Sequence, residues 1–144
     1  MQEQNYANHR QLVPAYHFVL LGILALTLIG SLVNLYKSLG SHARLYSASL
    51  IVVLVVTSLM IALFCRVFSL KAQDRAIRAE ENLRHFVITG KLLDPRLTLK
   101  QIVGLRFASD GEFVALARRG AEDGLAQKDI KQAVKNWRAD TDRV

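Results

Sequence analysis

Two long stretches of the chain carry no charged residue, one from Gln11 to Tyr36 and one from Leu45 to Cys65. A helix that crosses a bilayer needs about 20 mostly apolar residues, and each stretch is long enough. Only Lys37 to Arg44 separates them, with Gly40 and Ser41 in the middle. So short a linker joins two antiparallel helices and leaves no room for a domain at that end. The pattern predicts an N-terminal segment over 1–15, transmembrane helices over 16–36 and 46–65, a linker over 37–45 and a helical module over 66–144.

Beyond Cys65 the period changes. Ala72, Ala76, Ala79, Leu83, Phe86 and Val87 recur at three and four, which draws one apolar face along a helix that continues out of the second span. No Gly or Pro interrupts before Gly90. At 1.5 Å per residue that extension projects roughly 35 Å past the membrane. Asp74 before Arg78 and Glu80 before Arg84, each four apart, read as ion pairs on its exposed side. Gly90 and Asp94-Pro95 then mark a stop and a turn.

Three short helices are predicted next. Thr98 with Gln101, and Ser109 with Glu112, read as capping boxes. Gly120 and Gly124 read as breaks. The last helix places Ile130, Ala133, Val134 and Trp137 on one side. Helices this short do not stand alone in water, so their apolar stripes must bury one another and the face of the preceding helix. The expected core is Leu83, Phe86, Ile102, Phe113, Ile130 and Trp137. The fold class is all-α: a two-helix transmembrane hairpin, its second helix extended, followed by a small bundle.

Within the spans, Gly22, Thr27, Gly30, Ser31 and Asn34 on the first and Ser58 and Ala62 on the second are the small or polar positions. Small residues let helix backbones approach and their polar atoms bond across the seam, so these are the expected packing positions. No charge lies inside either span, which argues against an ion path.

Charge adds an orientation. The chain carries a formal +7 at pH 7, most of it from Arg66 onward. Basic residues near the membrane mark its inner side. Arg10, Arg66, Lys71, Arg75 and Arg78 lie at one end of the hairpin and outnumber Lys37 and Arg44 at the other. Both termini are therefore expected inside, with Arg66, Lys71, Arg75 and Arg78 facing anionic headgroups. Lys128 to Arg138 invites comparison with a recognition helix, but a solvated basic face explains the same residues, and nucleic acid is not expected as a partner. The first apolar run is longer than the core of a signal peptide and no A-x-A pattern follows it, so it is read as a retained span.

Chemistry is sparse. The lone Cys65 excludes an intrachain disulfide and cannot complete a zinc site with the scattered His9, His17, His42 and His85. His17, near the inner end of the first span, is the one weak candidate to ligate a haem or pigment. No phosphate-binding loop, nucleophile elbow or paired carboxylates in an apolar setting are visible. No cofactor, metal or catalytic residue is predicted, and an enzyme is not expected.

Lys71 to Arg78, Leu105 to Asp110 and Asp129 to Arg138, with Gln4 to His9 and Pro14 to Phe18, resemble segments of a family of small bacterial two-span membrane proteins classed as a domain of unknown function. The resemblance covers nearly the whole chain. It departs at Ala126, where a Ser or Thr cap would be expected. It implies a protein of the bacterial inner membrane and supplies no activity or substrate. The expected role is a non-catalytic accessory or scaffold subunit of a larger inner-membrane complex, with other membrane subunits as partners. The alternative is a membrane-tethered adaptor or regulator whose cytosolic tail recruits a soluble protein.

Overall fold

The computed structural model describes residues 4–9 and 12–140. Arg10 and Gln11, the first a marker of orientation and the second the start of the first apolar run, lie outside the described residues. The fold is all-α, with five helices among the described residues. Helix α1 is Ala15–Ser38, α2 is His42–Thr89, α3 is Leu99–Leu105, α4 is Asp110–Glu122 and α5 is Gln127–Ala133. No strand occurs among the described residues, apart from an isolated antiparallel bridge between Ala108 and Trp137. Leu12–Ser69 forms one compact unit; the described residues before it and from Leu70 onward form the other.

The first unit is a helical hairpin. Its turn is only Leu39–Ser41, shorter than the expected linker, and α2 runs 48 residues with no break at Cys65. Helix α1 opens with π-type turns over Ala15–Leu20, just after Pro14. There the Tyr16 hydroxyl donates to the carbonyl of Ala62 at 2.7 Å, tying the open end of the hairpin.

Burial marks the seam. On α1 Leu24, Leu28, Ser31, Leu35 and Ser38 are covered, and on α2 Leu45, Ala48, Val52, Val55, Leu59 and Ala62 are, with Leu21, Gly22, Ser49 and Ser58 half-buried beside them. Both sets alternate steps of three and four. That 3.5-residue repeat is the spacing of left-handed coiled packing, in which large and small side chains interdigitate. The expected packing positions are only partly on this seam. Ser31 and Ala62 are buried, and Gly22 and Ser58 are half-buried, but Thr27, Gly30 and Asn34 are exposed. Thr27 and Ser58 return their hydroxyls to the carbonyls of Ile23 and Leu54 in their own helices, so they need no partner across the seam. A Cβ at Gly22 or Gly30 would meet nothing within 4 Å, so neither glycine serves close approach within this chain.

The second unit centres on α3, α4 and α5. Its core joins Leu93, Leu97, Ile102, Leu105, Phe113, Leu116, Ile130 and Val134. Thr98 and Gln101 form the capping box, and the Gln101 amide also donates to the carbonyls of Gly120 and Leu125, both at 2.9 Å. One buried side chain therefore fixes the start of α3 and the turn after α4. Gly120 does not break the chain. It lies inside α4, where a Cβ would come within 3.3 Å of Leu97 and 3.4 Å of Ile130. Gly90 (φ +73°) and Gly124 (φ +63°) do end α2 and the α4 turn in the left-handed region that favours glycine.

Three expectations are corrected here. Ser109 does not cap α4 with its side chain; Glu112 instead accepts the backbone N–H groups of Lys135 (3.1 Å) and Asn136 (2.9 Å), holding the segment after α5. That segment is extended, because α5 stops at Ala133, so Val134 and Trp137 are not on a helix face. Trp137 is half-buried against the core, with Phe107 at 4.9 Å between ring centroids. Ile102, Phe113 and Ile130 are buried, but Leu83 and Phe86 are not core residues: they are 63% and 50% exposed.

The turn after α2 carries a titration signature. The Arg96 guanidinium donates to the Asp94 carboxylate at 2.7 Å and the Arg96 backbone N–H adds a further bond at 2.9 Å. These hold the Asp94 pKa at about 2, below its ordinary 3.8. A lowered folded pKa means the pair stabilises the turn above the ordinary value and loses its effect as pH falls through about 2. An NMR titration of the Asp94 carboxyl should give a midpoint near that value. In Arg96→Ala it should move back toward the ordinary one; an unchanged midpoint would refute the cause.

Candidate functional site

The most polar buried place in the described chain is where α2 docks on the three-helix module. The docked face of α2 carries Gln73, Ile77, Glu81 and Arg84, with Ile77 and Glu81 buried. Those positions recur every three or four residues, so they line one side of the helix. The expected apolar face, Ala72 to Val87, lies on the other side and is exposed. The physical reason is the ion network that the polar side can make and the apolar side cannot.

Arg84 is the hub. Its guanidinium meets the Glu81 carboxylate at 3.0 Å and the Asp110 carboxylate at 2.6 Å, and donates to the Ala108 carbonyl at 2.7 Å. It also lies over the Phe113 ring, 4.3 Å from the centroid. One side chain thereby binds α2 to the start of α4, to the turn before it and to the core. Glu81, at 5% exposure, has a second cation nearby in Arg138 at 3.8 Å. Arg106 meets Asp140 at 3.0 Å and lies over the Phe107 ring. The expected Glu80–Arg84 pair is absent, since Arg84 is turned inward to these partners.

A cleft of about 310 Å³ opens beside this network, lined by Gln73, Ala76, Ile77, Glu80, Glu81, Arg106, Arg138, Ala139 and Asp140. Three carboxylates are interleaved with two guanidinium groups, so it is not a trap for ions of one sign. Among the described residues no group of three His, Cys, Asp or Glu is placed to hold a metal ion.

The N-terminal segment meets the same unit. Gln4 and the Asp140 backbone exchange hydrogen bonds, the closer at 2.8 Å from the Asp140 N–H. His9 stacks on Tyr6, meets Phe107 edge-on and Trp137 at a tilt, and has Lys131 Nζ at 3.1 Å from its Nε2. Segments before and after the hairpin thus share one folded unit.

The remaining predicted residues are scattered. The His17 Nδ1 lies 3.0 Å from the Val13 carbonyl, and the ring is edge-on to Tyr16. Lys71, Arg75 and Arg78 are exposed on α2 and Arg66 is half-buried. Cys65 is a free, exposed thiol. Of the network residues, Arg84 is marked in the sequence only as a partner of Glu80, and Glu81, Arg106, Asp110 and Asp140 are not singled out. The Glu81–Arg84 spacing of three is the one local signal that could reveal part of it, because the other partners lie more than twenty residues away.

A family model matches residues 1–144, the full length of the chain. The chain belongs to DUF6526, a family of unknown function. No curated protein and no solved structure matches it. Membership in DUF6526 therefore assigns no chemistry to the network. Nor does it carry the two-span character, which rests on the helices: α1 and α2 are long and apolar enough to cross a membrane.

Proposed function

We propose that the protein is a membrane-anchored, non-catalytic accessory or scaffold subunit of a larger assembly in a bacterial inner membrane, with both termini on the inner side. The observation that carries this reading is the outer surface of the hairpin. The seam inside the hairpin is already filled by other positions, yet Thr27, Gly30 and Asn34 form a second small and polar line on α1 that lies beside it and is exposed. Within lipid, such a line is where another transmembrane helix packs.

The anchor itself is supported by exposure. A core helix of a water-soluble protein is mostly buried, whereas only 6% of the apolar window of α1 and 17% of that of α2 is covered. Leu26, Ile29, Leu54 and Ile61 are among the large side chains left bare. Such a surface needs lipid or protein around it. Two spans would leave both ends of the chain on one side, and the contacts of Gln4 and His9 with Asp140 and Lys131 support that reading. The basic residues Arg66, Lys71, Arg75 and Arg78 favour the inner side, next to anionic headgroups.

Migration on a native gel after mild detergent extraction tests the proposal. A complex much larger than the 16.1 kDa chain is expected, with other membrane proteins co-migrating, and Gly30→Leu should shift it toward smaller species. A strictly monomeric chain without companions would sink the reading. A C-terminal tag on the same protein should resist protease added outside intact cells. The adaptor reading, in which the tail recruits a soluble protein, draws support from the exposed face of α2. It predicts a soluble companion that survives Gly30→Leu.

A further inference from the structure

We infer that α2 pairs with α2 of a second copy of this chain, in parallel, through the exposed stripe Ala72, Ala76, Ala79, Leu83 and Phe86. The inference rests on the membrane-anchored reading for the direction of pairing and goes beyond it in naming the occupant.

The stripe is turned away from the docked face. Ile77, Glu81 and Arg84 hold α2 to its own module, while every residue of the stripe is exposed, with Ala76 at the edge of the cleft beside the module. Its steps are four, three, four and three, the alternation of a two-stranded coiled coil and not of a general amphipathic face. Ala76 and Leu83 then occupy a positions, and Ala72, Ala79 and Phe86 occupy d positions. The stripe ends at Phe86, one turn before the helix itself ends at Thr89. Three alanines at its start let two helices approach closely, and Leu83 and Phe86 supply large apolar contact further along.

Charge selects the partner and its direction. In this register Arg75 is a g position and Glu80 is an e position of the next heptad. In a parallel pair, g of one helix faces e of the other five residues on, so Arg75 meets Glu80 of the second copy, twice by symmetry. In an antiparallel pair e faces e and g faces g, which would set Glu80 near Glu80 and Arg75 near Arg75. Among the described residues neither Arg75 nor Glu80 makes an ion pair; Arg75 is exposed, and Glu80 is exposed at the edge of the cleft that Arg138 also lines. Two copies in one membrane with the same orientation are related by an axis along the membrane normal, which makes their α2 helices parallel. The membrane also removes the main weakness of so short a coil, because anchored chains meet already aligned and concentrated.

Disulfide trapping in native membranes tests this with the full chain. In a Cys65→Ser background, Ala79→Cys and Ala76→Cys should form a dimer of the chain under mild oxidation, at least tenfold more than Arg78→Cys, which lies on the flank. In the Ala79→Cys background, Arg75→Glu or Glu80→Arg should each cut the dimer several-fold, and the two together should restore it. All these positions are exposed, so the fold tolerates the changes; unchanged Trp137 fluorescence verifies it. Equal trapping at Arg78→Cys, no trapping at either stripe position, a cross-linked product with a different protein, or no restoration by the charge swap would each overturn the pairing. A chain that fails these tests but still migrates in a large assembly loses only the self-pairing. A chain released from membranes without detergent loses the anchored reading instead.

Discussion

Arg84→Met should destabilise the α2-to-module docking by about 3 kcal/mol. The variant keeps most of the side-chain volume but removes the cation that neutralises Glu81. Both groups are well covered, with side-chain exposures of 11% and 6%. Glu81 would then be left with Arg138 alone, at 3.8 Å. A buried carboxylate deprived of its close partner suffers its desolvation penalty almost in full. The Asp110 contact contributes little to this figure, because that carboxylate is 76% exposed and water screens it. Chemical denaturation of the full-length protein in detergent measures the effect, with the sole tryptophan, Trp137, as reporter. The double variant Arg84→Met with Glu81→Leu should recover most of the loss, since an apolar pair of similar volume replaces an ion pair at little net cost. A loss below about 1 kcal/mol in the single variant, or a double variant as unstable as the sum of both changes, would show that the network does not hold α2 in place.

That network explains why the helix docks by its polar side. From the sequence, Ala72 to Val87 shows a regular apolar face, and burial of that face is the ordinary outcome. Glu81 and Arg84 have no special mark in a helix rich in charge. Their significance depends on Asp110 and the Ala108 carbonyl, which only the folded chain brings to them. The same limit applies to Glu112, whose spacing from Ser109 fits a capping box but whose carboxylate serves the distant Lys135 and Asn136. It applies to Gly120, where a glycine reads as a break until the close approach of Leu97 and Ile130 is seen. The locally determined features are the legible ones: the two apolar helices, their short turn, the Thr98–Gln101 box and the stops at Gly90 and Gly124. Periodicity also located the stripe on α2 correctly; only its fate depended on what the opposite face could bind.

Ile130→Ala should be the most costly single truncation in the module, at about 3 kcal/mol. The side chain is fully buried and fits between two glycines, Gly104 on α3 and Gly120 on α4. Those glycines leave room for it, and a truncation there leaves a cavity that three helices would have to close together. The geometry separates the two contacts. A Cβ at Gly120 meets only side-chain ends, Leu97 Cδ2 at 3.3 Å and Ile130 Cδ1 at 3.4 Å. A Cβ at Gly104 meets the Gln127 carbonyl oxygen at 3.3 Å, which belongs to the backbone of α5 and cannot swing away. Gly104→Ala should therefore destabilise more than Gly120→Ala. Ile130→Val removes Cδ1 but keeps Cγ2. It should relieve Gly120→Ala, giving a double variant more stable than additivity allows by roughly 0.5–1 kcal/mol. It should leave the cost of Gly104→Ala unchanged, because both the Gln127 oxygen and Cγ2 remain. Thermal or denaturant unfolding of the four single variants and two doubles decides the matter. Coupling of Ile130→Val to Gly104 in place of Gly120 would mean that Ile130 packs in the opposite sense between α3 and α4.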